Sequence, residues 1–172
     1  MKKVLFLSLC AMVCMAVRAQ KANVLKSPDG TIAVSVTTGK NISYSVSADG
    51  NTILNDCVLG MTVDGKDLGP NAKLKGVKRS AINETLHPEV PLKMSSVQNR
   101  CNTMTMSFAG DFAVEFRAFD NGVAYRFVTH KKGRVNVDSE TFTINFPADY
   151  TADVSHVNNF KTSCETTYNH IS

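Results

Sequence analysis

Two stretches of the sequence place charged groups where charge is out of character with its neighbours. One is Phe116-Arg117-Ala118-Phe119-Asp120-Asn121-Gly122-Val123-Ala124-Tyr125-Arg126-Phe127, in which Arg117 and Arg126 interrupt an aromatic and aliphatic run. A guanidinium presents a planar fork of donors suited to gripping a carboxylate. Two readings stand for these arginines. They hold a carboxylate from another element or domain, or they lie cross-strand on the solvent face with their stems covering apolar surface. The second is favoured. The other stretch is the tail, Phe160 to Ser172, where Glu165, Asn169 and His170 bring a carboxylate, an amide and an imidazole close in sequence. On residue type alone, Glu165 is a solvated acid in a polar tail.

Little else in the sequence points to a reaction. His87, His130, His156 and His170 stand in four separate segments with no HExxH or His-x-His spacing. No GxSxG elbow, P-loop or GxGxxG is present. Cys57, Cys101 and Cys164 are more than forty residues apart and have no CxxC spacing, so they form neither a zinc site nor a disulfide framework. One pair among them is still able to oxidise in an exported protein. Small buried hydrophobes are the simpler reading.

These groups must be carried by strands. Ile32, Val34 and Val36 alternate with polar or small residues, as do Ile42, Tyr44 and Val46, then Met104, Met106 and Phe108, then Phe112, Val114 and Phe116. Ser27-Pro28-Asp29-Gly30, Asp49-Gly50, Asp64-Gly65 and Gly110-Asp111 supply turns between them. Asp120-Asn121-Gly122 reads as a tight turn with Gly122 at positive φ. Lys66 to Pro91, which holds Pro70, Pro88 and Pro91, reads as a long loop with a short strand at Leu74 to Val77. Phe142, Ile144 and Phe146 read as a further strand before Pro147, and the tail beyond shows no closing element. No long segment carries a helical apolar stripe. The fold class is all-β, an antiparallel sandwich.

Composition agrees with one globular domain. The 172 residues are 43% hydrophobic and 20% charged, outside the disordered class. The formal charge of +4 rests largely on Lys2, Lys3 and Arg18; without them, sixteen basic residues face fifteen acids. So balanced a body argues against nucleic-acid binding. Residues 1–19 read as a signal peptide, with a basic start, an apolar run from Val4 to Val17, and Val17-Arg18-Ala19 before a cleavage point at Gln20. That run is shorter than the ~20 residues of a membrane span. Cys10 and Cys14 follow bulky residues, which disfavours lipid attachment. The mature chain, residues 20–172, is expected in the periplasm or secreted.

The Ser-Pro-Asp-Gly-Thr-Ile opening, the arginine hairpin with its Asp-Asn-Gly turn, and the closing Ser-x-Glu-x-x-Tyr occur in one order. Together they resemble the N-terminal domain of glycoside hydrolase family 97, exported α-glucosidases and α-galactosidases of Bacteroides-type bacteria. The resemblance implies a galactose-mutarotase-like supersandwich that packs on a catalytic (β/α)₈ barrel. The barrel carries the catalytic carboxylates and takes an α-linked oligosaccharide. It also implies that this chain is an incomplete, non-catalytic N-terminal portion without activity alone, its sandwich left with an unpaired edge and an exposed apolar face. A calcium ion belongs to the family's active site, and Glu165 matches the glutamate that the N-terminal domain contributes, although Cys164 stands where an aromatic residue is usual. The competing expectation is a free-standing exported carbohydrate-binding or surface-interaction module, which would close its own sandwich.

Overall fold

The computed structural model describes residues 22–91, 93–155, 159, 161 and 167–171. Twelve strands follow in order: β1 (Asn23–Lys26), β2 (Ile32–Thr38), β3 (Ile42–Ala48), β4 (Asn51–Val63), β5 (Lys66–Leu68), β6 (Leu74–Leu86), β7 (Val97–Phe108), β8 (Phe112–Phe119), β9 (Gly122–Thr129), β10 (Val137–Phe142), β11 (Ala152–Ser155) and β12 (Tyr168–Ile171). No helix occurs among the described residues. One sheet runs β1-β2-β3-β4-β10 with β5 also on β4, a second runs β6-β7-β8-β9, and β11-β12 form a separate pair. Every pairing is antiparallel.

Turn chemistry sets the registers. At Asp49-Gly50 both residues take positive φ, 50° and 80°, and Ala48 pairs directly with Asn51. Asp64-Gly65 repeats this at 51° and 68°, joining Val63 to Lys66. Turns with both central residues left-handed match the natural twist of a hairpin, and Asp-Gly tolerates that geometry well. Because side chains alternate faces, a fixed register commits the residues beside the turn to one inward set, and along β4 two register shifts then carry that set from Leu54 to Cys57, Leu59 and Val63.

The inward sets meet in a single core. Val34, Val36, Ile42, Tyr44, Cys57 and Leu59 from the larger sheet pack with Met104, Met106, Phe108, Val114, Phe116 and Ala118 from the smaller one. The Tyr44 ring bridges the sheets, 6.0 Å from Phe116 and 6.1 Å from Tyr125 between centroids. One flank is closed by polar contacts. Asp120 accepts the backbone N–H of Asp29 at 2.9 Å and pairs with Arg100 at 3.1 Å, and Asn102 donates to the Lys26 carbonyl at 2.9 Å. The other flank is open. β9 ends its sheet, and beside it runs an apolar groove of about 540 Å³, lined by Tyr44, Val46, Leu54, Val123, Phe142 and Ile144 among others.

Four sequence expectations need correction. Residues 66–91 are not a long loop: they hold β5 and the long β6, whose ladder to β7 is in register from Gly76–Ser107 to Leu86–Val97. Only Val77 and Ile82 of β6 are half-buried, so this polar edge strand lacks the alternation that marks a covered one. Gly122 is not at positive φ; Asp120 and Asn121 form the turn, Gly122 pairs with Phe119, and the Asp120 carboxylate anchors the turn from outside. The strand expected at Phe142, Ile144 and Phe146 instead ends at Phe142. Beyond it, Thr143 and Asn145 still donate their backbone N–H groups to the Val58 carbonyl and to Cys57 Sγ. The tail does carry an element, β12, paired with β11.

The two faces of β8 give a direct stability test. Phe116 is fully buried in the core, whereas Phe119 is half-buried on the outer face. Phe116→Ala is expected to cost about 3–5 kcal/mol, the range for deleting a core aromatic ring. Phe119→Ala should cost well under half of that. Chemical denaturation measures both, and equal losses would contradict the facing assigned to β8.

Candidate functional site

The two hairpin arginines share the outer face of the smaller sheet, and the structure brings them together on a carboxylate that the motif reading did not single out. Glu115 lies two residues before Arg117 on β8 and directly opposite Arg126 on β9. Arg117 Nε donates to Glu115 Oε1 at 2.8 Å, and Arg126 donates through a terminal nitrogen to Glu115 Oε2 at 3.1 Å. The favoured reading is right about the face. The alternative is right that a guanidinium holds a carboxylate, but that carboxylate comes from the same hairpin rather than another element. A signal was available in the sequence: counting back from the Phe119–Gly122 pair places Glu115 opposite Arg126.

The Glu115 side chain is 14% exposed, against 31% for Arg117 and 62% for Arg126. Burial pushes its pKa up, but the hydrogen bonds and charges of Arg117 and Arg126 outweigh this and hold it below the usual value. Next to the triad lies an open cleft of about 300 Å³, walled by Glu115, Arg117, Arg126, Phe119 and Ala124. Its floor is open because the cross-strand neighbours of Arg117 and Phe119 are the small residues Ala124 and Gly122.

The other singled-out residues do not gather. Cys57 and Cys101 are buried free thiols, Cys57 in the shared core and Cys101 on β7 outside that cluster. His87 Nδ1 lies 3.3 Å from the Ser95 carbonyl, and His170 Nδ1 lies 2.9 Å from Asp153 Oδ1 on the exposed β11-β12 pair. Glu165, Cys164 and His156 fall outside the described residues. Among the described residues, no group of three His, Cys, Asp or Glu side chains is placed to hold a metal ion. No described helix is long and apolar enough to cross a membrane.

Elsewhere, two acids stabilise turns. Asp29 is drawn down to about 2 by the Ser27 hydroxyl, then by the Thr31 backbone N–H. Asp64 is lowered by the Asn136 backbone N–H and by Lys131. On the groove side the Tyr125 hydroxyl donates to Glu140 at 2.8 Å, and burial followed by that carboxylate pushes the phenol pKa up.

Comparison with known proteins places this arrangement. Residues 25–172 match the family model described as Glycosyl-hydrolase 97 N-terminal. The chain is 38% identical over 162 residues to a retaining alpha-galactosidase of Bacteroides thetaiotaomicron, covering 94% of this chain and 24% of that protein. It is 33% identical over 129 residues to a probable retaining alpha-galactosidase of Streptomyces bingchenggensis, covering 73% of this chain and 20% of that one. Among solved structures it resembles a beta-arabinopyranosidase, with a TM-score of 0.65 and 32% identity over 73% of this chain and 21% of the other. A family 97 enzyme from a Pseudoalteromonas species, solved with acarbose, shares the fold with a TM-score of 0.70 and 21% identity over 87% of this chain and 24% of its own. The chain thus spans about a quarter of the length of the relatives it matches.

The lowered Glu115 pKa has a pH consequence. A carboxyl that binds its proton less readily when folded contributes stability above its unfolded pKa of ~4.3, and loses it as pH falls through the folded value. Glu115→Gln should therefore destabilise the chain more at about pH 7 than at acid pH below the lowered folded value, where Glu115 itself is protonated. Urea melts of both proteins across that range measure the gap. A gap that does not change with pH would contradict the ionised triad.

Proposed function

This chain belongs to glycoside hydrolase family 97, and from that premise we propose that it is the non-catalytic sandwich portion of an α-glycosidase. In this role the sandwich packs against a catalytic (β/α)₈ barrel and completes the barrel's active site, where an α-linked oligosaccharide is bound. The observation that carries the proposal is the alignment of nearly the whole chain with a quarter of a retaining alpha-galactosidase. The open groove beside β9 supports it, since it offers a broad apolar surface to a packing partner. Export through cleavage near Ala19–Gln20, into the periplasm or beyond, fits this role.

Calcium enters the proposal only through Glu165. The ion takes six to eight oxygen ligands, and no set of the described acids comes together to supply them. In this reading Glu165 contributes one carboxylate to a site whose remaining ligands belong to the barrel, and no catalytic step is assigned through it.

Assay of the isolated chain on chromogenic α-galactosides and α-glucosides is expected to give no turnover above buffer. Calorimetric titration with calcium should give no saturable binding at micromolar concentration. Turnover, or micromolar binding abolished by Glu165→Gln, would overturn the division of labour. Saturable binding of a neutral α-oligosaccharide by the chain alone would instead favour the free-standing carbohydrate-binding module.

A further inference from the structure

We propose that the cleft between Arg117, Arg126 and Phe119 is a binding site for an acidic monosaccharide, a uronate, which it holds through the carboxylate. The inference is independent of the chain's role beside a barrel. It begins with an unequal charge balance: two guanidinium groups face one carboxylate, so the cleft wall carries a net positive charge. Glu115 takes one hydrogen bond from each arginine, through Nε of Arg117 and a terminal nitrogen of Arg126. Neither guanidinium meets another hydrogen-bond partner among the described residues, which leaves the terminal nitrogens of Arg117 and the Nε edge of Arg126 as donors.

Glu115 also prepares the site. Being the least exposed of the three side chains, it fixes both arginines before any ligand arrives, so less side-chain freedom is lost on binding. It saturates only part of each fork, and a second planar carboxylate matches the geometry of what remains. Phe119 sits on the same face of β8 as Arg117, two residues on, and gives the cleft an apolar wall. A volume of about 300 Å³ lies at the lower end for small-molecule sites, the scale of one sugar ring. An apolar wall combined with a few convergent polar donors is the usual make-up of such a site. A bare inorganic anion would leave the Phe119 wall unused; a neutral sugar would leave the donors without a charge to meet.

The test is calorimetric titration of the mature chain with galacturonate, galactose, acetate and inorganic phosphate in turn. Galacturonate is expected to bind saturably, and galactose at equal concentration not to bind. Arg126→Gln removes a charge-assisted contact at an exposed position and should weaken galacturonate about tenfold or more. Ala124→Leu fills the cleft floor without touching a charge and should weaken it as well. Circular dichroism establishes that each variant keeps the β fold. Absent galacturonate binding would overturn the proposal, as would galactose binding equally well or Arg126→Gln binding like the parent. Acetate and phosphate binding as tightly as galacturonate would overturn the sugar assignment and leave a general anion site.

Discussion

The packing of the Tyr44 ring against Phe116 and Tyr125 is the contact on which the two sheets depend. Tyr44 lies on β3 in the middle of the larger sheet, and both of its partners lie on the β8-β9 hairpin of the smaller one. Burial, aided by neighbouring Cys57, raises its phenol to about 12, as expected of a ring committed to the interior. From it the aromatic contacts run outward: Tyr125 touches Phe127 at 6.3 Å and Phe142 at 6.1 Å, and Phe112 stacks on Phe108 at 5.0 Å. Pairs at these separations add about 0.5–1.5 kcal/mol each beyond their area burial. The β8-β9 hairpin is therefore clamped by aromatic rings on its inner face while it presents the arginine triad on its outer face.

That two-sidedness explains how one hairpin serves both structure and chemistry. Glu115, Arg117 and Arg126 stand on ordered backbone because Val114, Phe116 and Tyr125, their neighbours along the two strands, are packed below. The two flanks of the sandwich differ for a related reason. On the β1 side, Asp29, Asp120, Arg100 and Asn102 tie the sheets together by polar contacts. On the β9 side the polar ties include the Tyr125–Glu140 hydrogen bond at 2.8 Å and, just past the strand, the Lys131–Asp64 ion pair at 3.0 Å, and apolar residues such as Phe142 and Ile144 stay about half exposed. A sandwich sealed on one flank and greasy on the other suits a portion that packs against something larger.

The sequence made the fold legible wherever a strand was covered on one face. Val34 and Val36, Met104 and Met106, and Val114 and Phe116 alternate because one side meets the core, and the Asp-Gly turns announce their own geometry. It was silent where pairing rather than burial makes the strand. β6 is polar on both faces and is held by its ladder to β7, so three prolines nearby suggested a loop. The arginines were legible, but their partner was not, because Glu115 becomes theirs only once the hairpin register is set. Gly122 misled for the opposite reason: a turn that resembles a glycine turn is held by the Asp120 side chain. Glu165 carries its assignment by resemblance alone, since residue type and spacing give a lone acid no distinguishing mark.

The sandwich is open along β9, and amide hydrogen exchange on a dilute solution of residues 20–172 reads this residue by residue. His130 N–H donates to the Asp111 carbonyl at 3.0 Å, so by antiparallel alternation Ala124 and Arg126 donate inward to β8 and Val123, Tyr125 and Phe127 point outward. Slow exchange is expected at Ala124 and Arg126 and markedly faster exchange at Val123, Tyr125 and Phe127. Uniform protection along β9, equal to that of β8, would show instead that its outer edge is already paired and that this flank is closed.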